Sequence, residues 1–176
     1  MDFVAHDTQS APQEAAELLS QSQEEMGFIP NMYRHMADAP PLLKAYKQMS
    51  QLFSQTSLSE AEQQVVLLAA SVENRCDFCT KAHSKMAAGA GVSEDDVSAI
   101  REGGQPGDSK LAALAQFTKK MVAERAWLAE ADMQALLQAG YERPQILEVV
   151  LGVGMKTLSN YTNHIAQTDV NPELDS

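Results

Sequence analysis

Ser59-Glu60-Ala61-Glu62-Gln63-Gln64-Val65-Val66-Leu67-Leu68-Ala69-Ala70-Ser71-Val72-Glu73-Asn74-Arg75-Cys76-Asp77-Phe78-Cys79-Thr80-Lys81-Ala82-His83 contains two helix signatures back to back. Ser59 and Glu62 fit a capping box, in which the N-cap hydroxyl and the carboxylate three residues on satisfy each other's backbone donors. Val65 to Ala70 is then apolar on every side, which marks a central helix shielded by its neighbours. A break near Asn74 leads into a second helix, expected to run to about Ala88 before Gly89 and Gly91. On it Cys76, Cys79 and His83 recur at i, i+3 and i+7, so two sulfurs and an imidazole share one stripe.

The same signals extend outward in both directions. Ser10 with Gln13 reads as another capping box, opening a helix from about Ala11 to Met26 that stops at Gly27. Pro30 holds Ile29 extended, and Asn31 is placed to cap a short helix through Arg34. Pro40-Pro41 restarts the chain, and Leu42, Tyr46, Met49 and Phe53 mark an amphipathic helix to about Gln55. Ser93 opens a short helix through about Arg101, and Gly103 to Gly107 is a loop by composition. Asp108 caps a helix bearing Leu111, Leu114, Ala115, Thr118, Met121 and Val122, and a shorter one runs from about Glu130 to Ala139. Pro144 fits the first turn of a long final helix with Ile146, Leu147, Val149, Val150, Leu151, Val153, Met155 and Leu158. Residues 168–176 read as a loose polar tail. No alternating strand pattern occurs, so the fold class is all-α.

The bulk composition narrows the function. A chain of 176 residues with 44% hydrophobic content supports one core, and a single domain over 1–176 is expected. A net charge of −11 argues against nucleic-acid partners, whose phosphates are bound by Lys and Arg. The apolar run Val65 to Ala70 is too short to span a bilayer, and the start of the chain lacks the features of a secretory signal. A soluble cytoplasmic protein is expected, with its dithiol mostly reduced. The two helices that are apolar all round point to an oligomer.

Cys76 and Cys79 are the only cysteines. A structural disulfide between them would close too short a loop to constrain the unfolded chain much. A closed zinc shell needs four ligands, and this run offers three at most. A redox dithiol is favoured: a helix N-terminus stabilises a thiolate, and His83 can hold or take a proton.

Cys76-Asp77-Phe78-Cys79-Thr80-Lys81-Ala82-His83 resembles the Cys-x-x-Cys-x-x-x-His motif of the AhpD-like alkylhydroperoxidases in the carboxymuconolactone decarboxylase superfamily. Gly27-Phe28-Ile29-Pro30-Asn31-Met32-Tyr33, Pro41-Leu42-Leu43 and Leu58-Ser59 resemble the run-in of its peroxidase-related branch. Gly91-Val92-Ser93, the stretch from Asp108 to Phe117, Ala139-Gly140-Tyr141 and Asn160-Tyr161-Thr162-Asn163-His164 follow in the expected order. The resemblance implies an AhpD-like helical fold in trimers or hexamers and thiol-dependent reduction of hydroperoxides by an external thiol or dithiol, with no cofactor. It implies Cys79 as attacking thiol, Cys76 as resolving partner and His83 in the proton relay. The family's glutamate twelve residues before the first cysteine is Gln64 here, which cannot ionise.

With that carboxylate lost, Glu73 is a candidate substitute three residues before Cys76, with Glu62 also nearby, and Glu148 stands out within the last apolar helix. His83 becomes the expected titrating base, giving a step in thiol reactivity near the reference histidine value of about 6.5. The alternatives are a decarboxylase acting on a small lactone acid, whose branch generally lacks the dithiol, and a redox-sensing or metal-binding helical oligomer without turnover. His6 and His35 are expected at the surface, and the Asn160–His164 spacing reads as a coincidence of helical periodicity.

Overall fold

The computed structural model describes residues 3–174. Nine α-helices occur among them: α1 (Gln13–Met26), α2 (Asn31–Met36), α3 (Pro40–Ser54), α4 (Glu60–Glu73), α5 (Asp77–Gly89), α6 (Glu94–Arg101), α7 (Ser109–Ala123), α8 (Glu130–Gln138) and α9 (Arg143–Ala166). A 3-10 turn, Pro172–Leu174, follows.

Helix α4 is the axis of the molecule. Its capping box forms as the sequence predicts: the Glu62 N–H donates to Ser59 Oγ at 3.3 Å, and the Ser59 N–H donates to Glu62 Oε2 at 2.8 Å. Residues 62–71 are buried without interruption because α5, α6, α7 and α9 pack around the helix. Each fully buried Val or Leu there contributes about 1.5–3 kcal/mol. The opposite wall is α3, which packs on α1, α2 and α9. Helix α9 can lie close to both because Gly152 has no side chain; a Cβ there would sit 2.8 Å from the Phe53 ring and 2.9 Å from Val66 Cγ1.

The turn from α4 to α5 fixes where the dithiol begins. Arg75 takes a left-handed conformation with φ 56°, its N–H donates to Val72 O, and the Cys76 N–H donates to Ser71 O at 3.0 Å. This is a Schellman closure with arginine where glycine is usual. It places Cys76 at the N-cap of α5 and Cys79 in the first turn.

Three local expectations are corrected. Ser10 does not cap α1; Asp7 Oδ1 instead accepts from the Gln9 and Ser10 N–H groups, and α1 starts behind Pro12. The Asn31 side chain does not cap α2 but donates to Asp169 O, while the Asn31 N–H donates to Asn171 Oδ1 at 2.7 Å. The same Asn171 donates from Nδ2 to Ile29 O, and Lys85 Nζ donates to Glu173 O. The tail is therefore strapped onto α2 and α5 as far as Leu174; its last two residues lie outside the described ones.

Candidate active site

Helices α5 and α9 face each other in antiparallel register across the dithiol. The stripe Cys76, Cys79, His83 meets a second stripe with the same spacing, Asn163, Ser159, Lys156, read in the reverse direction. Asn163 Nδ2 lies 3.6 Å from Cys76 Sγ and 3.3 Å from Cys79 Sγ, so one amide bridges both sulfurs. Ser159 Oγ lies 3.9 Å from Cys79 Sγ. Lys156 Nζ donates to His83 Nε2 at 2.9 Å, and His83 Nδ1 donates to Gln64 Oε1 at 3.0 Å. Asn74 Nδ2 donates to Asn160 Oδ1 at 2.9 Å, which pins the α4–α5 turn to α9.

Both cysteines are free thiols and buried. They are electrostatically unequal. The hydrogen bond from Cys76 holds the Cys79 thiol well below its ordinary range; burial opposes this, and the Lys156 ammonium and Ser159 reinforce it. Donating that hydrogen bond, together with burial, pushes the Cys76 thiol up. The negative charge is thus favoured on Cys79 over Cys76. Burial and the adjacent Lys156 push His83 well below the ordinary histidine value. Its tautomer follows from its partners: Nδ1 carries the hydrogen toward the amide oxygen, and Nε2 offers a lone pair to the ammonium.

The His83 imidazole does share the dithiol's face, but both of its nitrogens are occupied, by Gln64 and by Lys156. A reactivity step near 6.5 from His83 is not expected of a buried imidazole beside an ammonium. Gln64, which replaces the family's glutamate, accepts the hydrogen bond from His83 Nδ1. Glu73 is not brought to the site; it is exposed at the end of α4, where its charge acts on Lys119. Glu62 is consumed by its cap and by Lys110 Nζ at 2.8 Å, and Glu148 accepts from the Ser57 N–H and hydroxyl.

Lys156, Ser159 and Asn163 were not singled out by their sequence context. The available signal was the repeated i, i+3, i+7 spacing and the position of Lys156 as the lone Lys, Arg, Asp or Glu between Glu148 and Asp169. Among the described residues no group of three or more His, Cys, Asp and Glu side chains is placed to hold a metal ion.

Cys79, His83, Gln64 and Lys156 form one end of a cavity of about 520 Å³. Its remaining wall is largely apolar and aromatic, with Tyr33, Tyr46, Phe53, Phe78, Met86, Met155 and Leu174. Tyr33 and Tyr46 meet edge to face with centroids 5.7 Å apart.

Residues 40–119 match the sequence profile of the Carboxymuconolactone decarboxylase family. The fold resembles the alkylhydroperoxidase AhpD core of an uncharacterized peroxidase-related protein from Ralstonia eutropha JMP134, with TM-score 0.85 and 18% identity over 99% of this chain and 96% of that one. The chain therefore has an AhpD-like fold and carries a segment similar to the carboxymuconolactone decarboxylase family. An uncharacterized peroxidase-related protein from Silicibacter sp. TM1040 shares the AhpD-like fold with TM-score 0.85 and 21% identity over 100% of this chain and 93% of that one. So does the debrominase Bmp8, solved with 2,3,4-tribromopyrrole, with TM-score 0.80 and 16% identity over 98% of this chain and 92% of that one. No curated protein matches the AhpD-like chain by sequence. None of its described helices is long and apolar enough to cross a membrane.

Proposed function

We propose that this AhpD-like protein is a thiol-dependent hydroperoxide reductase. The observation that carries the reading is the unequal pair: Cys79, favoured as thiolate, opens into a cavity of about 520 Å³, with protonated Cys76 beside it under the shared Asn163 amide. In this reading Cys79 attacks the terminal peroxide oxygen, the O–O bond breaks, and Cys79 becomes a sulfenic acid. Cys76 then displaces water from that sulfur to give the Cys76–Cys79 disulfide, and an external dithiol reduces it. The thiolate is the nucleophile in each exchange, so a low-pKa attacker beside a protonated resolver suits this order.

The test is turnover: reduced protein with excess dithiol is offered hydrogen peroxide, tert-butyl hydroperoxide and cumene hydroperoxide, and consumption is followed. Catalytic consumption of at least one supports the reading, and stoichiometric or absent consumption with all three refutes it. A second reading is favoured by the likeness to Bmp8 and by the aromatic cavity wall: the same thiolate attacks the halogen of a halogenated aromatic ring, the carbon–halogen bond breaks and the ring carbon takes a proton, and Cys76 then displaces halide from the Cys79 sulfur as the disulfide forms. Halide release from a bromopyrrole under the same conditions would favour it over peroxide reduction.

The AhpD-like resemblance also supports a homotrimer or homohexamer. One face of α9 is left apolar and open, with Leu147 71%, Val150 47%, Tyr161 55% and Ile165 64% exposed. Such a contiguous patch suits a subunit interface.

A further inference from the structure

Lys156 takes part in no step described above, yet it is fully buried and is the one Lys or Arg lining the cavity into which Cys79 opens. We infer that Lys156 is the counter-ion of the Cys79 thiolate and the acid that protonates the departing alkoxide, with His83 as the residue that positions it. The inference deepens the hydroperoxide reading and rests on it for the second role only.

A buried ammonium is costly unless an anion and hydrogen-bond acceptors meet it. The carboxylates that could serve are engaged or remote: Glu62 with Lys110, Glu148 with Ser57, and Glu73 exposed. The titratable groups that line the cavity with Lys156 are Tyr33 on α2, Tyr46 on α3, Glu60 on α4, and Cys79 and His83 on α5. Tyr33 and Tyr46 are pushed up by burial and stay neutral phenols, Glu60 is exposed, and His83 is a neutral acceptor. That leaves the Cys79 sulfur, on which the Lys156 charge acts and which lies 3.9 Å from Ser159 Oγ, three residues along α9 from Lys156. An ammonium has three N–H donors. One is fixed on His83 Nε2 at 2.9 Å, whose own orientation is fixed by the 3.0 Å bond to Gln64. A glutamate at position 64 would favour imidazolium, whose Nε2 would donate and no longer accept. The glutamine therefore keeps Lys156 in place.

The proton balance closes without a further group. Cys79 S⁻ attacks ROOH, the S–O bond forms, the O–O bond breaks, and RO⁻ takes a proton from the Lys156 ammonium to leave as ROH. The neutral amine then accepts the Cys76 proton. The resulting Cys76 thiolate attacks the Cys79 sulfenyl sulfur, and the departing hydroxide recovers that proton from Lys156 and leaves as water. The oxidised site holds a disulfide and a neutral amine, and reduction by the external dithiol returns one proton to each of Lys156 and Cys76.

The experiment reads thiolate and turnover separately. Iodoacetamide alkylation of Cys79 is followed against pH in the wild type and in Lys156→Met and Lys156→Arg, with circular dichroism on each, and cumene hydroperoxide reduction is measured alongside. The wild type should alkylate at a constant rate well below the ordinary thiol range near 8.5. A wild-type profile that follows an ordinary cysteine overturns the inference without any variant. Lys156→Met should slow alkylation at pH 7 at least about 10-fold, and an unchanged profile in the folded variant overturns the counter-ion role. Lys156→Arg keeps a positive charge but not a transferable proton, so it should retain most of the alkylation rate while losing about 10- to 100-fold in peroxide reduction. Full peroxide turnover by that variant overturns the acid role. If the wild-type thiolate is found but no hydroperoxide is consumed, the counter-ion role stands and the hydroperoxide reading falls.

Discussion

The Asn163 side-chain amide lies 3.3 Å from Cys79 Sγ and 3.6 Å from Cys76 Sγ, so a single donor from α9 spans the dithiol. A hydrogen bond to a charged acceptor contributes about 1.5–3 kcal/mol. Asn163→Ala should therefore lower Cys79 alkylation at pH 7 by about 10- to 100-fold while leaving the rate above pH 10 nearly unchanged. Equal rates in the two proteins at pH 7 would show that the amide contributes packing only.

His83 should be silent in the neutral range. Its value is depressed by burial and by Lys156, so the unfolded chain binds the proton more readily than the folded one. The contribution of the neutral imidazole to stability is present above about pH 6.5 and is lost as pH falls below it toward the folded value. Gln64→Glu sets a carboxylate beside Nδ1 and raises His83, so this variant should gain an imidazole titration, visible by NMR, and lose part of the acid sensitivity. A histidine step near 6.5 already present in the wild type and abolished by His83→Gln would contradict the assigned tautomer.

Two backbone positions should respond in opposite directions. Gly152→Ala forces a Cβ within 2.8 Å of the Phe53 ring and should cost about 1–3 kcal/mol in denaturant unfolding. Arg75→Gly relieves a left-handed φ of 56° and should stabilise by about 0.5–1 kcal/mol, less than the strain removed because glycine also frees the unfolded chain. A neutral Gly152→Ala would mean that α9 shifts freely against α3 and α4.

The helices were legible in the sequence because their signals are local: the Ser59 cap, the apolar run from Val65 to Ala70 and the stop at Gly27 need no tertiary knowledge. So was the shared stripe of Cys76, Cys79 and His83, whereas the contact of Gln64 with His83 came only with the fold. What was hidden depends on residues far apart in the chain. Lys156 carries no local motif, and only the close approach permitted by Gly152 buries it one turn later against His83. Glu73 looked adjacent to Cys76, but the left-handed Arg75 separates the two helices and leaves it in solvent. The loose tail was misjudged for the same reason, since Asn171 finds its acceptor on Ile29.

The exposed apolar face of α9 should be covered in solution. Light scattering at micromolar concentration is expected to give a multiple of three subunits of 19.1 kDa, and Val150→Lys with Ile165→Lys should lower the mass without unfolding the chain. A wild-type protein that stays at the monomer mass would remove the interface proposal.

In the proposed cycle Cys79 is the attacking thiol and Cys76 the resolving one. One equivalent of cumene hydroperoxide, followed by blocking of free thiols and tandem mass spectrometry of the peptide that spans both cysteines, tests it most directly. The account predicts loss of both thiols with an intramolecular Cys76–Cys79 disulfide, and in Cys76→Ser a sulfenic acid on Cys79 alone. Oxidation that begins on Cys76 in Cys79→Ser, or intermolecular cross-links in place of the internal disulfide, would contradict it.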